Sequence, residues 1–194
     1  MKILITGGNK GLGLHLTEKF NADSISRVNG FDITKDEHII AKKSLDYDVF
    51  INNAFDGPPH EPWANFGQVN VYHAVFDAWK NANKSGHIFN IGSVGAKSIV
   101  PLEPKFETYR VAKAALEHAS KQGTQSFKAN QTKFKTTLIT LDRLDTPLSR
   151  SRPNWTGNAV PLEDVYNFIN LCTGMTNTCI EEVVYYCNFN YSED

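Results

Sequence analysis

Cysteine is scarce in this chain. There are three in 194 residues, at Cys172, Cys179 and Cys187, an odd number with no CxxC pair. This argues against a disulfide framework and fits reduced thiols in a cytoplasmic protein. A basic excess is also missing. With 20 Lys and Arg against 21 Asp and Glu the formal charge is −1, which leaves no electrostatic footprint for nucleic acid. No apolar run reaches the length of a membrane span, and MKILITGG reads as a buried strand rather than a leader. The six histidines show no metal-ligand spacing, so no metal site is expected. Repeats, low-complexity tracts and linkers are absent too. Residues 1–194 read as one domain, and a hydrophobic share of 41% is enough for a full core.

What is present is an alternation of strand and helix patterns. KILIT (2–6) is a short apolar run suited to a strand covered on both faces. Leu12, Leu14, Leu16 and Phe20 mark a first helix ending near Asn21. A second strand is expected within 24–33, then a helix over 35–43 and the apolar strand 48–54. Helices follow at 65–82 and 108–127, with the strand GHIFNIGS (86–93) between them. FKTTLITL (134–141) is the next strand, 142–161 a loop rich in Pro, Arg, Ser, Asn and Gly, 162–171 a short helix and 179–186 a last strand. Such alternation predicts an α/β fold, a doubly wound parallel sheet with helices on both faces. Ligands of such sheets bind beyond the carboxyl ends of the strands.

Four short patterns fall at those ends or just after them: TGGNKGLG (6–13), NNA (52–54), IGS (91–93) and YRVAK (109–113). Gly7, Gly11 and Gly13 lack a Cβ where a turn leads from a strand into a helix. The free N–H groups and positive dipole end of that helix suit a pyrophosphate. Tyr109 and Lys113 stand four apart, one helical turn, on one face. A free phenol has a pKa of about 10, too high for acid–base work near neutrality, and an ammonium one turn away would pull it down. Ser93 would orient a substrate oxygen against Tyr109. Singly, each has a plainer reading: a turn serine, a solvent-facing Asn70, a chance Tyr/Lys pair.

In this order the patterns resemble the short-chain dehydrogenase/reductase family over residues 1–148. The resemblance implies a Rossmann fold and a catalytic set of Asn70, Ser93, Tyr109 and Lys113. Tyr109 is then the acid–base, Lys113 also holds the nicotinamide ribose, and Asn70 holds a water of a proton relay. Cofactor contacts are implied at Gly7, Asn9, Lys10, Gly11, Leu12, Gly13, Arg27, Asp32, Ile33, Asn53, Ala54, Tyr109, Lys113 and Thr146. Asp32 has two readings. It ends the second strand and bonds a ribose hydroxyl, favouring NAD, or it belongs with Ile33 to a later segment against the adenine. In the second case the strand ends near Ser26–Arg27 and an intervening helix is missing. Arg27 and Lys10 are then two cations near one phosphate, favouring NADP(H) over NAD(H), though both also read as ordinary solvated charges.

The chain departs from the family at Phe55, where NNAG would have glycine, and at Leu141–Asp142, where Pro-Gly is usual. It also lacks a stretch between the second and fourth strands and part of the C-terminal substrate region. In the remaining lid, 142–161, Trp155, Arg150 and Arg152 suggest cover for an anionic substrate. His60, Pro62 and Trp63 lie near the expected mouth without a role. The expected function is interconversion of a small-molecule carbonyl and alcohol with NAD(P)(H), by a cytoplasmic homodimer or homotetramer. Tyr72, Val75, Phe76 and Trp79 are candidates for its interface or for the core. Two other readings stand beside it: a dinucleotide-binding regulator or scaffold without turnover, and a nucleotide-sugar epimerase or dehydratase, for which the chain is short.

Overall fold

The computed structural model describes residues 1–55, 66–97, 107–153 and 155–187. Its centre is one six-stranded parallel sheet in the order β2-β1-β3-β4-β5-β6. The strands are β1 (Ile3–Thr6), β2 (Asp23–Ile25), β3 (Val49–Asn52), β4 (Ser85–Ile91), β5 (Lys133–Leu141) and β6 (Glu182–Tyr185). Among the described residues six α-helices accompany them: α1 (Gly11–Phe20), α2 (Glu37–Ser44), α3 (Gly67–Asn81), α4 (Glu107–Lys128), α5 (Pro147–Arg150) and α6 (Leu162–Thr173). The doubly wound fold expected from the sequence is thus the one observed. The second strand is shorter than its 24–33 window, and no strand lies outside β2 among the described residues. Between β2 and β3 stand a 3-10 turn, Arg27–Asn29, and one helix, α2.

Every residue of β1 and β3 is buried, because each strand has a helix layer on both faces and reads as a continuous apolar run. One layer packs Phe50, Ile88 and Phe134 against Tyr72, Val75 and Trp79 of α3. These three α3 residues are 1% exposed or less, so of the two alternatives for them the core is correct. The other layer packs Ile5, Ile51, Phe89 and Ile139 against Leu16 of α1 and Val165 and Ile169 of α6.

Chain order reverses between β1 and β3. From β1 the chain steps outward to β2, then returns past β1 to β3 and proceeds to β6. The carboxyl ends of β1 and β3 therefore flank a topological switch point, where connections leave to opposite sides and open a crevice. The loop 142–161 is not structureless: it holds α5 and a bridge between Leu144 and Val160. The 3-10 turn after β4 (Val94–Lys97) is tied down by charge, since Lys97 Nζ lies 2.8 Å from Glu182 Oε1 and 3.5 Å from Glu117 Oε1.

Candidate active site

The crevice is built from the ends of β1 and β3. Thr6 closes β1, and its Oγ1 accepts the backbone N–H groups of Asn53 and Ala54, each at 2.9 Å. Asn53 returns the contact, donating Nδ2 to the Thr6 carbonyl at 2.9 Å. Next comes Gly7 at φ +75°, a left-handed conformation that favours glycine. A Cβ there would stand 3.1 Å from Ala54 Cα. Gly13, inside α1, is closer still: its Cβ would lie 2.2 Å from the Gly7 carbonyl oxygen. The turn thus folds back on its own helix, and only an absent side chain permits it.

At the mouth of this turn, Lys10 is the N-terminal boundary of α1, with no side-chain cap and no acidic residue in the first turn. The leading N–H groups therefore keep their positive field for a ligand. Asn9 and Lys10 are exposed, and Leu12 is buried under the turn. Thr146 arrives from the far side of the sheet. Its Cγ2 would be 3.6 Å from a Cβ on Gly11, and it caps α5 by accepting the Ser149 N–H at 3.2 Å. The replaced Pro-Gly has therefore not displaced Thr146 from the glycine turn.

The cofactor residues expected beyond β2 are arranged differently from a strand-end acid. β2 stops at Ile25, whose carbonyl accepts the Gly7 N–H at 2.7 Å. Asp32 lies seven residues on, so the reading that ends the second strand with it is corrected. It caps its own loop instead, accepting the Thr34 N–H at 3.0 Å and the Thr34 hydroxyl at 2.8 Å. These bonds, with help from Arg27 and Lys35, hold its carboxyl below the usual range. Arg27 is exposed in the 3-10 turn just past β2, and Ile33 is buried, its carbonyl close under Gly67.

On the catalytic side, Ser93 follows β4 and its side chain faces Tyr109 in the first turn of α4, close enough to act on the phenol. Gly95 makes room for this contact, since a Cβ there would sit 3.3 Å from Ser93 Oγ and 3.4 Å from the Tyr109 ring. Burial pushes the Tyr109 phenol above its ordinary pKa, and the Ser93 bond and the Arg152 charge oppose that push. The expected lowering by Lys113 is not what is found. Its ammonium is turned inward, donating to Gln68 Oε1 at 2.7 Å and to the Ile91 carbonyl at 2.9 Å, and stands 5.8 Å from the Tyr109 ring centre. Phe55 closes the group. Its ring meets Tyr109 edge-on at 5.0 Å, and the Lys113 ammonium lies over it at 5.1 Å.

Asn70 is not brought to this group. It is exposed on α3, and Gln68 reaches Lys113 instead. Gln68 is 1% exposed, and its Nε2 donates to the Asn52 carbonyl at 2.7 Å and the Ile91 carbonyl at 3.1 Å. Asn52 in turn donates to the Gln68 carbonyl and to Asn90 Oδ1, each at 2.9 Å, and Asn90 donates to Ser120. A buried amide network thus joins β3, β4, α3 and α4 beneath Lys113. The sequence carried a signal for Gln68: it extends the stripe Val71–Val75–Trp79 backward at helical spacing. Thr6 was also missed, although it opens the glycine motif. Of the lid residues, Arg150 is held by Asp145 through two bonds of 2.7 and 2.9 Å, whereas Arg152 acts on Tyr109. His60, Pro62 and Trp63 lie outside the described residues. Among the described residues no His, Cys, Asp and Glu group suits a metal, and no helix is long and apolar enough to cross a membrane.

No known family profile matches the chain, and no curated protein does. Solved structures do. A short-chain dehydrogenase from Burkholderia cenocepacia J2315, in complex with NADP, is 22% identical over 95% of this chain and 89% of that one, with a TM-score of 0.69. The 3-alpha-hydroxysteroid dehydrogenase from Pseudomonas sp. B-0831, complexed with NADH, is 14% identical over 95% and 94%, with a TM-score of 0.74. A short-chain dehydrogenase from Streptomyces avermitilis is 18% identical over 96% and 89%, with a TM-score of 0.68. The chain has the fold of these enzymes along nearly its whole length.

Proposed function

We propose that this chain is a compact short-chain dehydrogenase/reductase that interconverts a small-molecule carbonyl and an alcohol, using NADP(H) in preference to NAD(H). The observation that carries the reading is the grouping of Ser93 and Tyr109 on either side of Gly95, with the Lys113 ammonium 5.8 Å from the Tyr109 ring centre. A serine, a tyrosine and a lysine so grouped beside a glycine turn form a proton-delivery device next to a dinucleotide cradle.

A dinucleotide fits the residues present. The turn packs tightly on its own helix because Gly13 has no Cβ, and the N-terminus of α1 carries no acidic side chain to oppose a phosphate. Gly7, Gly11, Gly13, Asn53, Ala54 and Thr146 would hold it, with Asn9 and Leu12 shaping the turn and Asp32 and Ile33 beside the adenine end. Lys10 and Arg27, exposed on either side of the turn that Gly7 ties to Ile25, favour a 2′-phosphate. The nicotinamide supplies or accepts the hydride. Ser93 Oγ orients the substrate oxygen, and the Tyr109 hydroxyl gives up its proton as the carbonyl is reduced. Lys113, one turn along α4 and fixed by Gln68, would hold the nicotinamide ribose, and Arg152 favours the tyrosinate left behind. Gln68 takes over the positioning that the resemblance gave to Asn70. We place the enzyme in the cytoplasm, on its three free thiols, and read it as a homo-oligomer.

A second reading, a dinucleotide-binding regulator without turnover, is favoured by one observation: Phe55 packs on both Tyr109 and Lys113. Fluorescence titration with NADPH and NADH, with a panel of ketones and aldehydes and a Tyr109→Phe variant, separates the two. The enzyme reading expects both forms to bind and only the wild type to oxidise NADPH. Binding without turnover across the panel supports the regulator, and failure to bind either dinucleotide overturns both.

A further inference from the structure

Phe55 occupies a particular stretch of the crevice. The residue before it, Ala54, packs against Gly7 of the phosphate-facing turn, and its own ring touches Tyr109 and Lys113. It lies between the two ends of the crevice that an extended ligand would have to join. At this position the family pattern has glycine, which places nothing there. Phe55 is half-buried, so its ring is held between protein groups rather than lying loose in solvent.

The ammonium beneath it is already served by the protein. Two of its N–H bonds go to Gln68 Oε1 and the Ile91 carbonyl, and the face of Phe55 attracts the charge through its quadrupole. Lys113 is 4% exposed in this arrangement. A ribose hydroxyl that is to reach it has to take the place of a present neighbour. Gln68 is the poor candidate to leave, because its amide also donates to the Asn52 and Ile91 carbonyls and all of it is buried. The Ile91 carbonyl belongs to a central strand. Phe55 has no polar bond to break and sits in the turn after β3, so it is the group that yields.

We propose that Phe55 is a positioning residue that competes with the dinucleotide for the Lys113 ammonium, so that cofactor binding requires its ring to swing off the Tyr109–Lys113 pair. The proposal rests on the dinucleotide reading given above. Its consequence is a built-in tax on affinity: the observed Kd is the intrinsic Kd divided by the fraction of molecules with the ring displaced. In the free protein the same ring shields Lys113 and Tyr109 from solvent.

The experiment is fluorescence titration of wild type, Phe55→Ala and Phe55→Leu with NADPH and NADH, which reads binding and not activity. Phe55→Ala removes both the bulk and the π face, and its Kd is expected to fall about fivefold or more. Phe55→Leu keeps apolar bulk without the π face and is expected to tighten binding by a smaller factor. An unchanged or weakened Kd in Phe55→Ala overturns the proposal. If that variant does not fold, Phe55→Leu decides: tighter binding supports the proposal and an unchanged Kd overturns it. Wild-type binding with no gain in the variants removes this inference alone. Failure of all three proteins to bind either dinucleotide removes the dinucleotide reading and the inference with it.

Discussion

Gln68 and Lys113 meet at 2.7 Å in the interior, the amide oxygen of one accepting from the ammonium of the other. A buried ammonium deprived of an acceptor loses part of its compensation, at a cost of about 1–3 kcal/mol or more. Gln68→Leu is therefore expected to lose at least that much stability in urea denaturation, and most of its turnover. Asn70→Ala, on the exposed side of α3, is expected to stay within about 0.5 kcal/mol of wild type with unchanged rates. If Asn70→Ala were the damaging variant and Gln68→Leu the silent one, the relay would run as the family pattern has it.

The Tyr109 phenol, raised by burial, stays protonated across neutral pH. If Tyr109 is the proton donor, as proposed, reduction uses that protonated form, and its rate is expected to be flat through neutrality and to fall only in the strongly alkaline range. Oxidation needs the tyrosinate and is expected to climb with pH from 7 to 10. The Arg152 charge favours the tyrosinate, so Arg152→Gln raises the phenol further and moves both limbs to higher pH. Rate profiles in the two directions check the sign; a downward shift in Arg152→Gln contradicts it.

Gly13→Ala places a methyl 2.2 Å from a backbone oxygen that has no rotamer by which to retreat. The turn or the helix has to move, at about 1–3 kcal/mol. Thermal melting is expected to fall, and affinity for both dinucleotides with it. Gly157→Ala is the comparison: nothing stands within 4 Å of its Cβ, and only its φ of +86° resists, costing about 1 kcal/mol without touching binding.

His87 carries an acid sensitivity unrelated to the active site. It is buried in β4, stacked on Phe89 at 3.9 Å with Nε2 paired to Thr137 Oγ1 at 2.8 Å. Burial, with the Lys135 charge behind it, pushes its pKa from 6.5 down to about 3. Between those values the unfolded chain binds a proton that the folded one refuses. Stability is thus complete above about pH 6.5 and falls on acidification, by up to about 1.4 kcal/mol per pH unit. Denaturation midpoints measured from pH 7 to 4 are expected to drop steeply in wild type and less steeply in His87→Gln.

The strands and the glycine turn were legible because buried parallel strands and backbone-tight turns leave marks in residue type alone. Gly7, Asn53 and Thr146 converge from three separate segments as the motif order implies. Gln68 was not legible from motif matching, because VNV looks alike whichever way the helix is turned. Two residues correspond to about 200° of rotation, and the side of α3 that faces the sheet was decided by Val71, Tyr72, Val75 and Trp79. The direction of the Lys113 side chain was hidden for a related reason. Four-residue spacing puts it on the face of Tyr109, but its acceptors come from α3 and β4, far away in sequence.

The sheet order has a consequence for how the molecule is made. Leu4 pairs with Phe50, Ile51 with Phe89, and Ile88 with Thr136. Each partner lies tens of residues away, and among the described residues the sheet has no hairpin to seed its neighbours. Loops must be closed, at an entropic cost, before any strand gains a second edge. Assembly is therefore slow by construction, and the apolar edges of β1 and β3 stay open until it finishes. A growing chain that has emerged only as far as β3 already holds the whole glycine turn, yet it has neither the serine nor the tyrosine–lysine pair. During synthesis the glycine turn is present well before Thr146, which closes against it from beyond β5, and before Ser93, Tyr109 and Lys113.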